Sequence, residues 1–140
     1  MVSFRIAGYT RSTEVFDIEN QVWHSNLIEN MTDNIRGFST VTTEDAIFLL
    51  GGFSDIQRDY TKNIWKWVIG QTTFVVAGQL LEIRMNSASI LEKEKIYTIG
   101  GLDRLKAEYF EIDANVSTSL KSMTSPQIFS QLIPRAFLQC

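Results

Sequence analysis

Apolar runs recur along this chain at a fixed spacing. Ala46-Ile47-Phe48-Leu49-Leu50 ends in the pair Gly51-Gly52, and Lys95-Ile96-Tyr97-Thr98-Ile99 ends in Gly100-Gly101, 49 residues further on. Each run carries an aromatic at the same place. A degenerate copy, Ser3-Phe4-Arg5-Ile6-Ala7-Gly8, opens the chain, with Ala7 where the first glycine would stand. Upstream of the glycine pairs lie Arg36-Gly37-Phe38-Ser39 and Arg84-Met85-Asn86-Ser87, and Gln127-Ile128-Phe129-Ser130 continues that series. Downstream, Glu14-Val15-Phe16-Asp17-Ile18 matches Glu108-Tyr109-Phe110-Glu111-Ile112, with Asn63-Ile64-Trp65-Lys66-Trp67 in the same slot. Trp23 and Phe74 follow further on, and Ser117 breaks the pattern in the last copy. Self-similarity at this period is the mark of a repeat architecture.

The repeated segments read as strands, because β-branched and aromatic residues dominate and turn residues separate them. Thr40–Thr43, the turn Glu44-Asp45 and Ala46–Leu50 form one strand pair. Ala88–Leu91, the turn Glu92–Glu94 and Lys95–Ile99 form its repeat. Adding a strand around Phe16, Trp65 or Phe110 and another around Trp23 or Phe74 gives four antiparallel strands in about 50 residues, the content of one propeller blade. The two prolines, Pro126 and Pro134, interrupt none of these strands. Leu102–Phe110 is compatible with helix by propensity, but its second half matches Val15–Ile18 and is assigned to strand. The alternative is an α+β domain in which the glycine pairs are unrelated turns.

On these residues the chain resembles the kelch repeat family. The family's signature is an apolar strand ending in a glycine pair (Ile47–Gly52, Ile96–Gly101), an aromatic in the next strand (Phe16, Trp65, Phe110) and a Trp in the fourth (Trp23). The resemblance implies an all-β fold of kelch-type β-propeller blades, about three in number and forming a partial propeller. Residues 1–35 are then an incomplete blade, 36–83 and 84–126 two blades, and 127–140 the first strand of a further or closing blade. Four to eight blades are typical of closed propellers. A fragment of a longer protein is therefore expected, or self-association of two chains to complete the ring.

Composition narrows the chemistry. Thirteen Lys and Arg against sixteen Asp and Glu give a net charge of −3, and the basic residues are dispersed, so no nucleic-acid partner is expected. No apolar stretch approaches a membrane span, no membrane partner is expected, and the opening residues carry no signal-peptide pattern. The one Cys, Cys140, and the one His, His24, exclude an internal disulfide and a His- or Cys-rich metal site. Cysteine usage leans toward a cytoplasmic, reducing compartment. The glycosylation-type triplets Asn30-Met31-Thr32 and Asn115-Val116-Ser117 lean the other way.

His24 reads as a surface residue beside a turn. Cys140 has no visible activating environment. Asp17, Glu19, Glu44, Asp45, Glu92 and Glu94 read as solvated turn charges. The glycine pairs lack the lysine and the strand-to-helix context of a phosphate loop. Trp65-Lys66-Trp67 alternates at the strand period and reads as packing. The copper centre of galactose-oxidase-like members needs two His ligands and a Tyr–Cys cross-link, which this chain cannot supply. No catalytic residue, cofactor or metal is expected.

The resemblance implies instead that ligands engage one propeller face, built from the loops after the glycine pairs and the starts of the first strands. That face would hold Arg36, Arg84 and Gln127, with loop residues Tyr9, Arg11, Phe53, Asp55, Arg58, Asp103 and Arg104. Arg36 and Arg84 read equally as hydrogen-bonding residues between blades. The expected function is a non-catalytic interaction module that binds a protein partner. The alternatives are an extracellular carbohydrate- or matrix-binding propeller and an enzyme built across a longer chain. A ubiquitin-ligase adaptor role, served in many members through a separate BTB domain, is a family-level implication only.

Overall fold

The computed structural model describes residues 2–6, 12–102 and 105–124. All regular structure among them is strand. Three larger antiparallel sheets follow one another along the chain. The first has β1 (Val2–Ile6), β2 (Thr13–Asp17) and β3 (Val22–His24). β4 (Ile35–Arg36) belongs to a small sheet described below. The second large sheet has β5 (Ser39–Thr42), β6 (Ala46–Leu50), β9 (Asn63–Val68) and β10 (Val75–Gln79). The third has β11 (Ala88–Glu92), β12 (Lys95–Ile99), β13 (Ala107–Glu111) and β14 (Val116–Ser119). Each is a meander in chain order, so every strand lies beside its sequence neighbour within the sheet. The helical reading of Leu102–Phe110 does not hold for its second half, which pairs as β13 between β12 and β14.

The repeat is visible in the backbone itself. Ser39 pairs with Leu50 and Ala88 with Ile99, the same register 49 residues apart. Left-handed φ values recur at that offset: Gly37 (66°) with Asn86 (56°), Gly51 (68°) with Gly100 (73°), and Gly52 (103°) with Gly101 (80°). Sterics require glycine at the pairs. A Cβ on Gly51 would lie 2.5 Å from the Arg84 carbonyl oxygen, and one on Gly52 2.7 Å from that of Arg36. Gly101 meets the Met85 carbonyl in the way Gly52 meets that of Arg36. The hairpins are built from local chemistry. Between β2 and β3, Asp17 accepts from Asn20 Nδ2 (2.7 Å), Glu19 N (3.0 Å) and Asn20 N (3.2 Å), and the bonds from Asn20 hold its carboxyl below the ordinary aspartate range. Lys93 and Glu94 both take positive φ between β11 and β12, as a two-residue turn twisted to match its strands requires.

Sheets stack through two apolar layers, with alternate residues of each strand pointing to opposite neighbours. Val15 of the first sheet joins Ile47, Leu49, Trp65 and Trp67 of the second, closed over by Ile28, Met31 and Ile35. On the other face Val41, Ala46, Phe48, Leu50, Ile64 and Leu80 meet Ile96 and Phe110 of the third sheet. β6 is consequently buried at all five positions, which explains why Ala46–Leu50 is a continuous apolar run rather than an alternating one. Phe48 and Phe110 are wholly enclosed, and each such side chain contributes about 1.5–3 kcal/mol by burial. Gly78 makes room for the Phe110 ring, since a Cβ there would lie 2.5 Å from it.

Hydrogen bonds link the second and third sheets beside the glycine pairs. Gly52 N donates to Arg84 O and Asn86 N to Gly37 O, both at 2.7 Å. Ser39 Oγ lies 2.7 Å from Ser89 Oγ, which lies 3.0 Å from Thr98 Oγ1.

The ladder corrects two alignments read from the sequence. Ile47 pairs with Trp67 and Ile96 with Phe110, so Trp67, not Trp65, holds the position of Phe16 and Phe110. Trp65 holds that of Glu108. At the same offset Arg84 falls on Ile35, and Arg36 on Met85. One pair of positions is therefore filled in two ways: by Ile35 and Trp65 in one apolar layer, and by a fully buried Arg84–Glu108 pair in the other sheet. Arg84 Nε donates to Glu108 Oε1 at 2.9 Å, and its Nη1 donates to Gly100 O (2.7 Å) and Lys106 O (2.9 Å). Glu108 Oε2 in turn accepts from Leu81 N at 2.6 Å.

Two consequences follow for stability. Arg84→Met leaves the Glu108 carboxylate buried without its partner and lowers unfolding free energy by about 3–5 kcal/mol. The double variant with Glu108→Met recovers part of that loss in urea titrations, because no unpaired charge remains. Gly78→Val drives a side chain into the Phe110 ring and costs about 1–3 kcal/mol; Phe110→Leu in the same chain reduces the penalty, as thermal melts of the four species will show.

Candidate functional site

Thirteen residues connect Leu50 to Ile64, where seven connect Ile99 to Ala107. The extra length forms structure of its own. β7 (Phe53–Ser54) and β8 (Asp59–Tyr60) make a hairpin, and β4 pairs with β7 to complete a three-stranded sheet. Ile35 faces Ser54 and Arg36 faces Phe53; Phe53 faces Tyr60 and Ser54 faces Asp59. The four-residue hairpin loop, Asp55 to Arg58, ends with Arg58 at φ 53°. The sequence pattern predicts only a loop here. Two-residue strands bring too few residues to show a period, and their pairing with Ile35–Arg36 spans about twenty positions.

Side-chain bonds fix the loop from within. Ser54, enclosed between the strands, donates its hydroxyl to Asp33 and accepts from Gln57 N at 3.0 Å. Asp33 Oδ1 also accepts from Ile56 N at 3.2 Å. Asp55 N donates to Asn34 O at 3.1 Å, and Asn34 Nδ2 donates to Asp55 Oδ2 at 2.7 Å. Asp55 Oδ1 also takes an ion pair from Arg36 Nη1 at 3.2 Å. The Arg36 guanidinium lies 4.6 Å above the Phe53 ring centre, and Tyr60 meets that ring edge-on at 5.5 Å. Ile56 stands at the tip of the loop, 67% exposed, with Gln57, Arg58 and Asp59 exposed beside it.

The structure thus brings Arg36, Phe53, Asp55 and Arg58 into one patch. Arg84 is elsewhere: it lies fully enclosed, its Nε and Nη1 bonded within its own sheet, and it offers no surface to a partner. Backbone hydrogen bonding between sheets uses the Arg84 carbonyl, not its side chain. Tyr9, Arg11, Asp103, Arg104 and Gln127 lie outside the described residues. Sequence reasoning missed Tyr60, Asn34 and Asp33, whose roles depend on the small sheet, and Ile56, an isolated apolar residue between Asp55 and Gln57 that could have signalled an exposed anchor.

The patch combines two cations, Arg36 and Arg58, with two aromatic rings, an apolar tip and the Asp55 carboxylate already engaged by Arg36 and Asn34. Among the described residues no three His, Cys, Asp or Glu side chains converge where a metal could sit.

The internal bonds rank the residues. The Arg36–Asp55 pair is half exposed, so a double-mutant cycle assigns it less than about 1 kcal/mol. Ser54→Ala removes a buried donor from Asp33 and costs about 1–3 kcal/mol, a difference that urea titration resolves. No protein-family model matches this chain, and no curated protein matches it.

Proposed function

We propose that the chain is a non-catalytic, kelch-type propeller module that binds a protein partner through the face carrying the small sheet. One observation carries the reading: the longest connection between neighbouring strands of a large sheet in the described region is itself a bonded sheet, and it presents Arg36, Phe53, Tyr60 and the exposed Ile56 together. Arg and Tyr are enriched among residues that dominate interface energetics. An Arg packed on an aromatic ring and tied to a carboxylate has little side-chain freedom left to lose on binding, and a hairpin fixed by Asp33, Asn34 and Ser54 has little backbone freedom left, so the ordering cost of association is small. The repeated glycine pairs, the common register and the stacked sheets support the kelch-type reading of the scaffold.

The test is affinity capture from native extract followed by a binding titration with the captured protein. Ile56→Asp and Arg36→Glu, each folded by circular dichroism, should bind that partner about tenfold more weakly or worse. Capture of the same proteins at the same affinity by both variants would refute a binding role for this face.

A further inference from the structure

The same third-strand aromatic position serves both layers between sheets. On one side stands the third-strand aromatic, Trp67 facing the first sheet and Phe110 facing the second. On the other side of the layer between the second and third sheets stand Phe48, Leu50 and Ile64. In the same register, Phe16 holds the place of Trp67 and Phe110 on the outward face of the first sheet. Tyr97 and Ile99 hold the places of Phe48 and Leu50 on the outward face of the third sheet, where Ala107 and Tyr109 adjoin them.

Burial separates the inner and outer members of each set. Phe48, Leu50 and Phe110 are wholly enclosed, whereas Phe16, Tyr97 and Ile99 are half-buried. Trp23, whose ring lies 4.8 Å from that of Phe16, is 51% exposed. Tyr97 and Tyr109 lie ring to ring at 5.6 Å, with Lys95 Nζ 4.5 Å above Tyr109. Lys95 is paired to Glu111 at 2.8 Å, so that cation is already engaged within its own face, and the tyrosines and Ile99 form the recognition surface. One chain therefore carries both halves of an interface that it already forms within itself.

We propose that a second copy of this chain docks head to tail, with Phe16 and Trp23 of one copy packed on Tyr97, Ile99 and Tyr109 of the other. Two such contacts close into a two-fold ring of six large sheets, three from each chain. The contact continues the register of the inner layers and makes no use of the small sheet.

Light scattering coupled to size exclusion tests this on the full chain. The expected mass is twice the 16.0 kDa of one chain. Phe16→Asp and Tyr97→Asp each reduce it to that of a single chain with the β circular dichroism signal kept. An equimolar mixture of the two variants restores the two-chain species, because one unaltered head still meets one unaltered tail. Should an aspartate variant fail to fold, Trp23→Ser and Tyr97→Ser are read in the same way. A single-chain mass for the unaltered protein at tens of micromolar would overturn the proposal, as would a two-chain species that survives both variants, or variants that do not complement each other. Ile56→Asp leaves the two-chain mass unchanged, which keeps this test separate from that of partner binding.

Discussion

The large sheets stack because no sheet can cover the apolar side chains on its own faces. That constraint organises the rest. The second sheet satisfies it from both sides, with Trp65 and Trp67 toward the first sheet and Phe48 and Leu50 toward the third. Its central strand β6 has no solvated position at all. Stability in such an arrangement is shared between neighbours, so a change in one layer is felt by two sheets. Gly78 illustrates the tolerance involved: the Phe110 ring of the next sheet fills the volume in which a side chain would stand.

The repeat conserves geometry more strictly than chemistry. Left-handed residues, ladder register and carbonyl contacts of the glycine pairs recur at one offset. The side chains at equivalent positions do not. Ile35 and Trp65 fill a site by apolar packing, where Arg84 and Glu108 fill it with a buried ion pair that also binds Gly100 O, Lys106 O and Leu81 N. Both solutions satisfy the same demand for a filled interior. The ionic one stands on its hydrogen bonds, because desolvating two charges offsets much of their attraction.

Length variation between repeats falls where the scaffold permits it. The added residues between β6 and β9 do not disturb the ladder on either side, since Leu50 still pairs with Ile64 as Ile99 pairs with Ala107. They fold back on Ile35–Arg36 instead, and Asp33, Asn34 and Ser54 hold them there. A surface connection is free to acquire structure because its backbone groups can pair with each other rather than with the core. The outcome is a firm, exposed patch on an otherwise regular stack.

Pattern alone determined the all-β class, the order of strands within each large sheet and the special status of the glycine pairs, because strand alternation and turn chemistry are local properties. The family resemblance, not the pattern, gathered Arg36, Phe53, Asp55 and Arg58 into one candidate face, and it placed the enclosed Arg84 there with them. Register within a repeat was beyond the pattern by one or two residues. Trp65 and Trp67 point the same way, and Arg36 and Arg84 differ by one position, so only the hydrogen-bonded ladder shows which are equivalents. The small sheet needed the tertiary structure as well, since its strands are too short to carry a period and its partners are distant in sequence. Whether an arginine meets solvent or is enclosed depends on what packs over it, and that is why Arg36 reaches the surface while Arg84, in a segment with the same Ile-Arg-x-x-Ser pattern, is sealed inside with Glu108.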